Sequence, residues 1–274
     1  MKIGFIDYYM SEWHANNYPA WIKEQAQELG ISATVSYAFA ELDSSPIDNV
    51  TTDEWCQKFG IVKCGSIKEL CELSDFVIIL APSNPEKHLP YAKEAFKYAK
   101  RVYVDKTFAP NPEEARAIFE LAKENGTEFF SSSALRYATE LEDYIGSMEI
   151  CTTGGGSSLA EYVIHQIEMV VKILGTGAKS VSCEQNGDVS VISVFYEDER
   201  HAVMNFSPKL GFSVSASDKK TQIKSAFFAA LIADILNFAI SGKKSFSGSE
   251  TEEVIKIRSA AISAEANPCT VITL

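Results

Sequence analysis

Short apolar runs alternate with helix-spaced apolar residues over the first 130 positions. Ile3-Gly4-Phe5-Ile6 reads as a buried strand. Pro19 then suits a first helical turn, with Ile22, Ala26 and Leu29 at helical spacing until Gly30 stops the helix. Residues 31–38 form a second strand. Thr51-x-x-Glu54 and Ser66-x-x-Glu69 each predict a capping box that opens a short helix, and Gly60 ends the first of them. Phe76-Val77-Ile78-Ile79-Leu80 has the continuous apolar character of a strand covered on both faces. A helix over about 90–100 leads to Val102-Tyr103-Val104. Asn111-Pro112 caps a helix that closes at Asn125-Gly126, before Glu128-Phe129-Phe130. This β-α repetition predicts an α/β domain built on a doubly wound parallel sheet, residues 1–133.

From about residue 134 the period changes. One long helix spans 159–174, and strand-like segments at 181–184 and 189–196 flank Asn186-Gly187, a hairpin signal. Segments 202–206 and 212–217 add strands, helices near 225–240 and 250–264 follow, and Val271-Ile272-Thr273 closes the pattern. Residues 134–274 therefore read as an α+β domain with a mostly antiparallel, open sheet. No repeat, low-complexity linker or charged tail interrupts the 274 residues, a length that suits about two domains.

Charge and composition narrow the function. The net charge is −12, with 25 Lys+Arg against 37 Asp+Glu. That balance argues against a partner held through its phosphate backbone, as nucleic acid is, and no basic cluster is larger than Lys97-Tyr98-Ala99-Lys100-Arg101. The longest apolar stretch, 226–233, is broken by Asp234, well short of the roughly twenty residues a membrane span needs. An acid at Asp7 comes too early for a secretory signal. The expectation is a soluble, cytoplasmic protein with no membrane partner. Six cysteines (56, 64, 71, 151, 183 and 269) form no Cys-x-x-Cys pair and no metal-ligand spacing with histidine, so they read as buried free thiols, with no metal site.

Three places carry candidate chemistry. The first is the turn after the first strand, Asp7-Tyr8-Tyr9-Met10-Ser11-Glu12-Trp13-His14. A glycine fingerprint there would need glycine at 7, 9 and 12, where Asp, Tyr and Glu stand. An ordinary tight connection with no ligand accounts for these residues. The sharper alternative is that Asp7 caps the following helix in place of a phosphate. The acid expected at the end of the second strand is missing from Ser36-Tyr37-Ala38-Phe39. The second place is Ala81-Pro82-Ser83-Asn84-Pro85-x-x-His88, taken with Asp105-Lys106-Thr107. Both lie at carboxyl ends of predicted strands, where a doubly wound sheet builds its crevice, although Pro and Asn suit any strand-to-helix loop. The third is Gly154-Gly155-Gly156 and the long helix, on which Glu161, His165, Glu168 and Lys172 share a face. Glu161 and His165, one turn apart, would make a proton-transfer pair. The plain alternative is a solvated face with two helix-stabilising pairs of about 0.2–0.5 kcal/mol each.

The order of these segments resembles the glucose–fructose oxidoreductase, inositol dehydrogenase and MocA family. The correspondence runs through Asp75-Phe76-Val77-Ile78-Ile79-Leu80-Ala81-Pro82, His88, Lys100-Arg101-Val102-Tyr103-Val104-Asp105-Lys106, the three glycines and Glu161-x-x-x-His165-x-x-Glu168. It covers nearly the whole chain and marks a short, divergent member. The resemblance implies a Rossmann-like domain binding NAD or NADP through Asp7, Tyr8, Tyr9, Met10, Ser11, Ala81, Pro82, Ser83, His88, Asp105 and Lys106. It further implies hydride transfer to or from a sugar, polyol or related carbonyl compound. The family's lysine maps to Lys106, which would stabilise charge on the substrate oxygen. Its histidine maps to His165, the proton carrier, and its aspartate to Glu161, which would orient the imidazole. A homo-oligomer, dimer or tetramer, through the second domain's sheet is also implied.

The departures are equally specific. The phosphate-binding glycines are absent, Glu-Lys-Pro has become Asp-Lys-Thr, and the region between about Tyr144 and Gly154 is short. Two functions follow: an NAD(P)-dependent oxidoreductase, or a non-catalytic relative serving as ligand sensor or assembly subunit with dinucleotide binding weakened or lost. Lys106, Glu161 and His165 favour the first; Asp7, Tyr9 and Glu12 favour the second.

Overall fold

The computed structural model describes residues 1–268 and 270–274, so the expectation for Cys269 lies outside the described residues. The chain divides into two units. The first comprises Met1–Ala109, Glu113–Ser131 and Leu231–Ser245, the second Pro110–Pro112, Ser132–Ala230 and Phe246–Leu274.

In the first unit, β1 (Lys2–Asp7), β2 (Thr34–Ala40), β3 (Val62–Lys63), β4 (Phe76–Ile79), β5 (Arg101–Val104) and β6 (Glu128–Phe130) form one sheet in the order β3-β2-β1-β4-β5-β6. Every recorded pairing in it is parallel. The connecting helices are α1 (Trp13–Glu28), α2 (Thr52–Phe59), α3 (Ile67–Leu73), α4 (His88–Ala95) and α5 (Pro112–Asn125). β4 is buried at every residue, as its unbroken apolar run requires. The capping box at α2 closes from both sides. Thr51 Oγ1 accepts the Glu54 N–H at 3.2 Å, and Glu54 Oε2 accepts the Thr51 N–H at 2.9 Å. Gly60, at φ +68°, ends that helix in the left-handed region. Ser66 caps α3 through the Glu69 N–H. Gly4 has no room for a side chain, because a Cβ there would stand 2.5 Å from both Leu70 Cδ2 and Ser74 Oγ. One expectation is corrected: α1 starts at Trp13, so Pro19 sits inside the helix rather than in its first turn. The start is fixed by a carboxylate cap upstream, described below.

The second unit contains β7 (Glu149–Gly154), α6 (Leu159–Leu174), β8 (Ala178–Asn186), β9 (Val189–Tyr196), β10 (His201–Phe206), β11 (Ser213–Ala216), β12 (Lys219–Gln222), the first four residues of α7 (Phe227–Ser241), α8 (Gly248–Ala266) and β13 (Val271–Thr273). The last eleven residues of α7 belong to the first unit. The sheet order is β12-β11-β7-β10-β9-β8-β13, antiparallel except for β7 against β10. Asn186 pairs with Val189 across the hairpin, which leaves Gly187, at φ +64°, and Asp188 as the loop. β9 and β10 alternate buried positions with half-buried ones, or with the exposed Phe195, the period-2 signature of a sheet covered on one face. The apolar stripe of α6 (Leu159, Val163, Ile167, Val170 and Leu174) is buried. The family-derived fold therefore stands: a Rossmann-like α/β unit, and a unit with a mixed, mostly antiparallel sheet.

Cys56, Cys64, Cys71 and Cys183 are buried free thiols, and Cys151 is half-buried. Among the described residues no helix is long and apolar enough to cross a membrane.

Candidate functional site

The strand order of the first unit reverses between β1 and β4, which puts the crevice of a doubly wound sheet at their carboxyl ends. Asp7 closes β1 there and is only 1% exposed. Its Oδ1 accepts the N–H of Tyr8 at 2.7 Å and of Ala81 at 3.0 Å, tying β1 to the segment after β4. Its Oδ2 is buried with no hydrogen-bond partner. Burial, and then the nearby Glu12 carboxylate, hold the Asp7 carboxyl well above the usual range.

Asp7 does not cap α1, contrary to the sharper of the two expectations. Glu12 does. Its carboxylate accepts the backbone N–H of His14 at 2.8 Å and that of Ala15. Glu12 is 6% exposed, and burial raises its carboxyl pKa against the opposing pull of His14. The reason is reach. Asp7 lies in the strand and spends its oxygen on neighbouring strand-end amides, whereas Glu12 is the residue immediately before the helix. The unpaired N–H groups of a first helical turn carry partial positive charge, and a carboxylate satisfies them. The capped turn is held from several sides. His14 Nδ1 pairs with Asp105 Oδ2, Ser11 Oγ donates to Asp48 at 2.7 Å, and Trp55 Nε1 donates to Asn16 at 2.9 Å. Asp105 is wholly buried. Burial alone would raise its pKa, but His14 and Lys106 outweigh it and leave the carboxyl below its ordinary value.

The acid at the end of the second strand is present after all. β2 runs on to Ala40, so Glu41 follows it directly. Its carboxylate accepts from Lys87 Nζ at 2.5 Å and Tyr91 Oη at 2.9 Å. The hydrogen bond from Lys87 is the main cause of its lowered pKa. Lys87 Nζ also lies 4.3 Å from the centre of the Tyr8 ring. Lys106 Nζ donates to Pro82 O at 3.2 Å, linking the loops after β4 and β5 as the motif order implied. His88 has a different place from the expected cofactor contact. It is fully buried, with Nε2 2.5 Å from Leu80 O and Nδ1 3.0 Å from Phe108 O, so both ring nitrogens are engaged by backbone. Met10 is buried, and Tyr8 and Tyr9 are half-buried. Ala81 has φ +57°, and Ser83 is exposed.

In the second unit, α6 carries the other candidates. Ser158 caps the helix through the Glu161 N–H, and Glu161 Oε2 accepts from Ser157 Oγ at 2.7 Å. His165 Nδ1 lies 2.6 Å from Ser133 Oγ, with the Tyr162 and Phe212 rings edge-on to the imidazole. Glu168, on the helix face for which a solvated role was the plain alternative, is buried. It accepts the Ser133 N–H at 3.0 Å and pairs with Arg136 at 3.2 Å, and Arg136 also pairs with Glu250. Burial pushes the Glu168 carboxyl up, against the pull of Arg136. Ser133, Arg136 and Glu250 were not singled out in the sequence, since nothing marks a serine or arginine at a short 3-10 turn as the partner of a helix some 30 residues on. The three glycines have packing causes. A Cβ on Gly155 would stand 2.4 Å from Ser207 O, and one on Gly156, at φ +153°, would enter the Tyr162 ring.

A parallel sheet in this order, followed by a mixed sheet, defines an α/β protein with a Rossmann-like unit. Residues 18–132 match the model of an oxidoreductase family with an NAD-binding Rossmann fold. That family is the one named for glucose–fructose oxidoreductase, inositol dehydrogenase and MocA, so the resemblance in the sequence stands. The match opens at Tyr18, beyond the turn that carries Asp7 and Glu12. No curated protein matches the chain in sequence. Solved structures share the fold over its whole length. Scyllo-inositol dehydrogenase of Lactobacillus casei, with bound NAD(H) and scyllo-inositol, superposes with a TM-score of 0.75 at 14% identity, over 99% of this chain and 98% of that one. An oxidoreductase of Agrobacterium radiobacter, in complex with NAD+, L-tartaric acid and magnesium, gives 0.75 at 16% over the same shares. An oxidoreductase of Bacillus cereus gives 0.74 at 14%, over 100% and 98%. The family match thus gives residues 18–132 an NAD-binding Rossmann fold of an oxidoreductase family, and the solved structures share the fold of the whole chain.

The residues after β1 nevertheless do not fit a dinucleotide's diphosphate. The N–H groups of His14 and Ala15 that would face it already serve Glu12, and those of Tyr8 and Ala81 serve Asp7. Two buried carboxyls would stand where two phosphates need positive potential. The segment from Asp7 to Tyr18 contains no Lys or Arg to offset them.

Proposed function

We propose that this chain is an oxidoreductase acting on a small hydroxylated compound, a sugar, polyol or related carbonyl compound, with His165 as the group that moves the substrate proton. The observation that carries the reading is the way His165 is held. Ser133 Oγ engages Nδ1, and the Ser133 backbone is itself held by the buried Glu168. An imidazole fixed through one nitrogen presents the other in a constant direction, the geometry a general base needs. Nε2 is the nitrogen we assign to proton transfer. In the first unit Lys106 Nζ is engaged by Pro82 O at 3.2 Å. The proton half of the reaction is thereby assigned to this chain's own side chains. In the family the hydride half belongs to NAD or NADP, whose diphosphate the turn after β1 does not fit.

A second reading, a relative that binds a small ligand without redox turnover, is favoured by that same turn. Thermal-shift titration with NADH and NADPH separates the two. A ligand at about 100 times its Kd stabilises the native state by about 2.7 kcal/mol. A shift with either nucleotide supports the oxidoreductase, and no shift with either at millimolar concentration replaces it with the second reading. Where turnover is found, His165→Ala lowers kcat far more than substrate affinity. Equal loss of both would remove His165 from the proton-transfer role.

A further inference from the structure

We infer that Glu12 is a resident anion. Its carboxylate fills the phosphate seat of the Rossmann unit, and this chain holds dinucleotides weakly because its own side chain competes for the α1 amides. The inference deepens the oxidoreductase reading and concerns the cofactor seat of that same site.

Three independent features carry it. Glu12 spends its carboxylate on two first-turn N–H groups while 94% of its surface is covered, so the seat is filled and closed over rather than capped from solvent. Asp7, 1% exposed, keeps an unpartnered Oδ2 in the same corner. A buried polar atom left without a partner is costly, and this one adds no positive charge to hold a second anion in that corner. The turn is also fastened. Glu12 N donates to Met10 O at 2.8 Å, Ser45 Oγ donates to Ser11 O at 3.0 Å, and the His14 ring is pinned to buried Asp105. Release of the Glu12 carboxylate therefore means breaking two backbone hydrogen bonds in a low-dielectric corner, where each is stronger than in water. Against this, the usual glycine turn offers its amides with nothing to displace.

The test is isothermal titration of the intact protein with NADH, in the wild type, Glu12→Ser and Glu12→Gln. Serine is a preferred helix N-cap, so Glu12→Ser keeps α1 started while removing the carboxylate. Glutamine keeps the occupying atoms and removes only the charge. Circular dichroism and the melting temperature of each variant verify folding before titration. The expected result is a fall in the NADH Kd of about tenfold or more in Glu12→Ser, a free-energy gain of about 1.4 kcal/mol. A smaller gain is expected in Glu12→Gln. An unchanged or higher Kd in Glu12→Ser overturns the inference, and so does absence of binding in all three proteins. A wild type that does not bind beside a Glu12→Ser protein that does supports the resident anion and sinks the redox reading. Tight wild-type binding with no gain in Glu12→Ser does the reverse. Should Glu12→Ser not fold, Asp7→Asn decides. It removes the second carboxyl while the Tyr8 and Ala81 N–H groups keep an acceptor, and a Kd at or above the wild type's then counts against the proposal.

Discussion

Removing Glu168 tests the network that holds His165. In Glu168→Ala the Arg136 guanidinium loses its 3.2 Å partner, and the Ser133 N–H loses its 3.0 Å acceptor inside the fold. A hydrogen bond to a charged group contributes about 1.5–3 kcal/mol, and a buried donor left unsatisfied costs about 1–3 kcal/mol. Arg136 keeps Glu250 and its place against the Phe246 ring, so its charge is not orphaned outright, and the upper figure for breaking a buried pair does not apply. The expected loss is therefore about 3 kcal/mol. Urea unfolding followed by circular dichroism measures it, with the midpoint lowered and the slope m unchanged. At roughly 2–4 °C per kcal/mol, the melting temperature falls by about 6–12 °C. The pair Arg136→Met with Glu168→Leu removes both charges together. Its loss should fall short of the sum of the single losses by about 1 kcal/mol or more, the signature of a direct interaction. A loss under 1 kcal/mol in Glu168→Ala, or simple additivity in the pair, would refute the view that this buried pair holds the segment before α6.

Three further outcomes follow from the first unit. Gly4→Ala forces a methyl against Leu70 and Ser74, and the fold loses about 1–3 kcal/mol by urea unfolding; a neutral result would mean that α3 retreats freely. Asp7 and Glu12 both have carboxyl pKa values raised on folding, so the stability they contribute is fully present below the unfolded value near 4. It is lost as pH rises through the folded values. Asp7→Asn accordingly flattens the decline in unfolding free energy as pH rises above about 4, to be measured by urea melts on both sides of that value; an unaltered slope counts against a strained Asp7. Burial pushes the Cys71 thiol up to about 12 and those of Cys56 and Cys64 up to about 11. These three resist alkylation at pH 8 until the protein unfolds, which peptide mass mapping reads; labelling at the rate of an exposed thiol would contradict it.

Much of the fold was legible because the signals were local. The capping box at Thr51, the stop at Gly60, the continuous run before Leu80 and the stripe on α6 each arise from residues within a turn or two, and the structure keeps them all. Where a feature depended on distant chain it was misread. Pro19 looked like a helix start because proline favours the first turn, yet the start is set by Glu12, and the helix runs through the proline. A solvated place for Glu168 was open because its neighbours on that face are polar, yet Arg136, from a short 3-10 turn 32 residues earlier, pairs with it inside the fold. Glu41 escaped because β2 extends two residues further than its apolar pattern suggested.

The turn after β1 turns on a distinction finer than charge. Its composition already said that two acids stand where glycines would admit phosphates, and helix electrostatics said that one of them would serve the first turn of α1. Asp7 was the natural candidate by analogy with the first glycine of the fingerprint. The structure gives the role to Glu12, because an N-cap must be the residue before the helix and needs an oxygen that reaches back to the second and third amides. Asp7 is too early in the chain and is already bound to Tyr8 and Ala81. The consequence is physical as well as positional. Were Asp7 the cap, a single buried acid would do the work of the phosphate and Glu12 would be free to swing out to solvent. With Glu12 as the cap, both acids are committed inside the crevice, one to the helix and one to the ends of two strands. A ligand that needs those amides must then displace side chains of the protein itself.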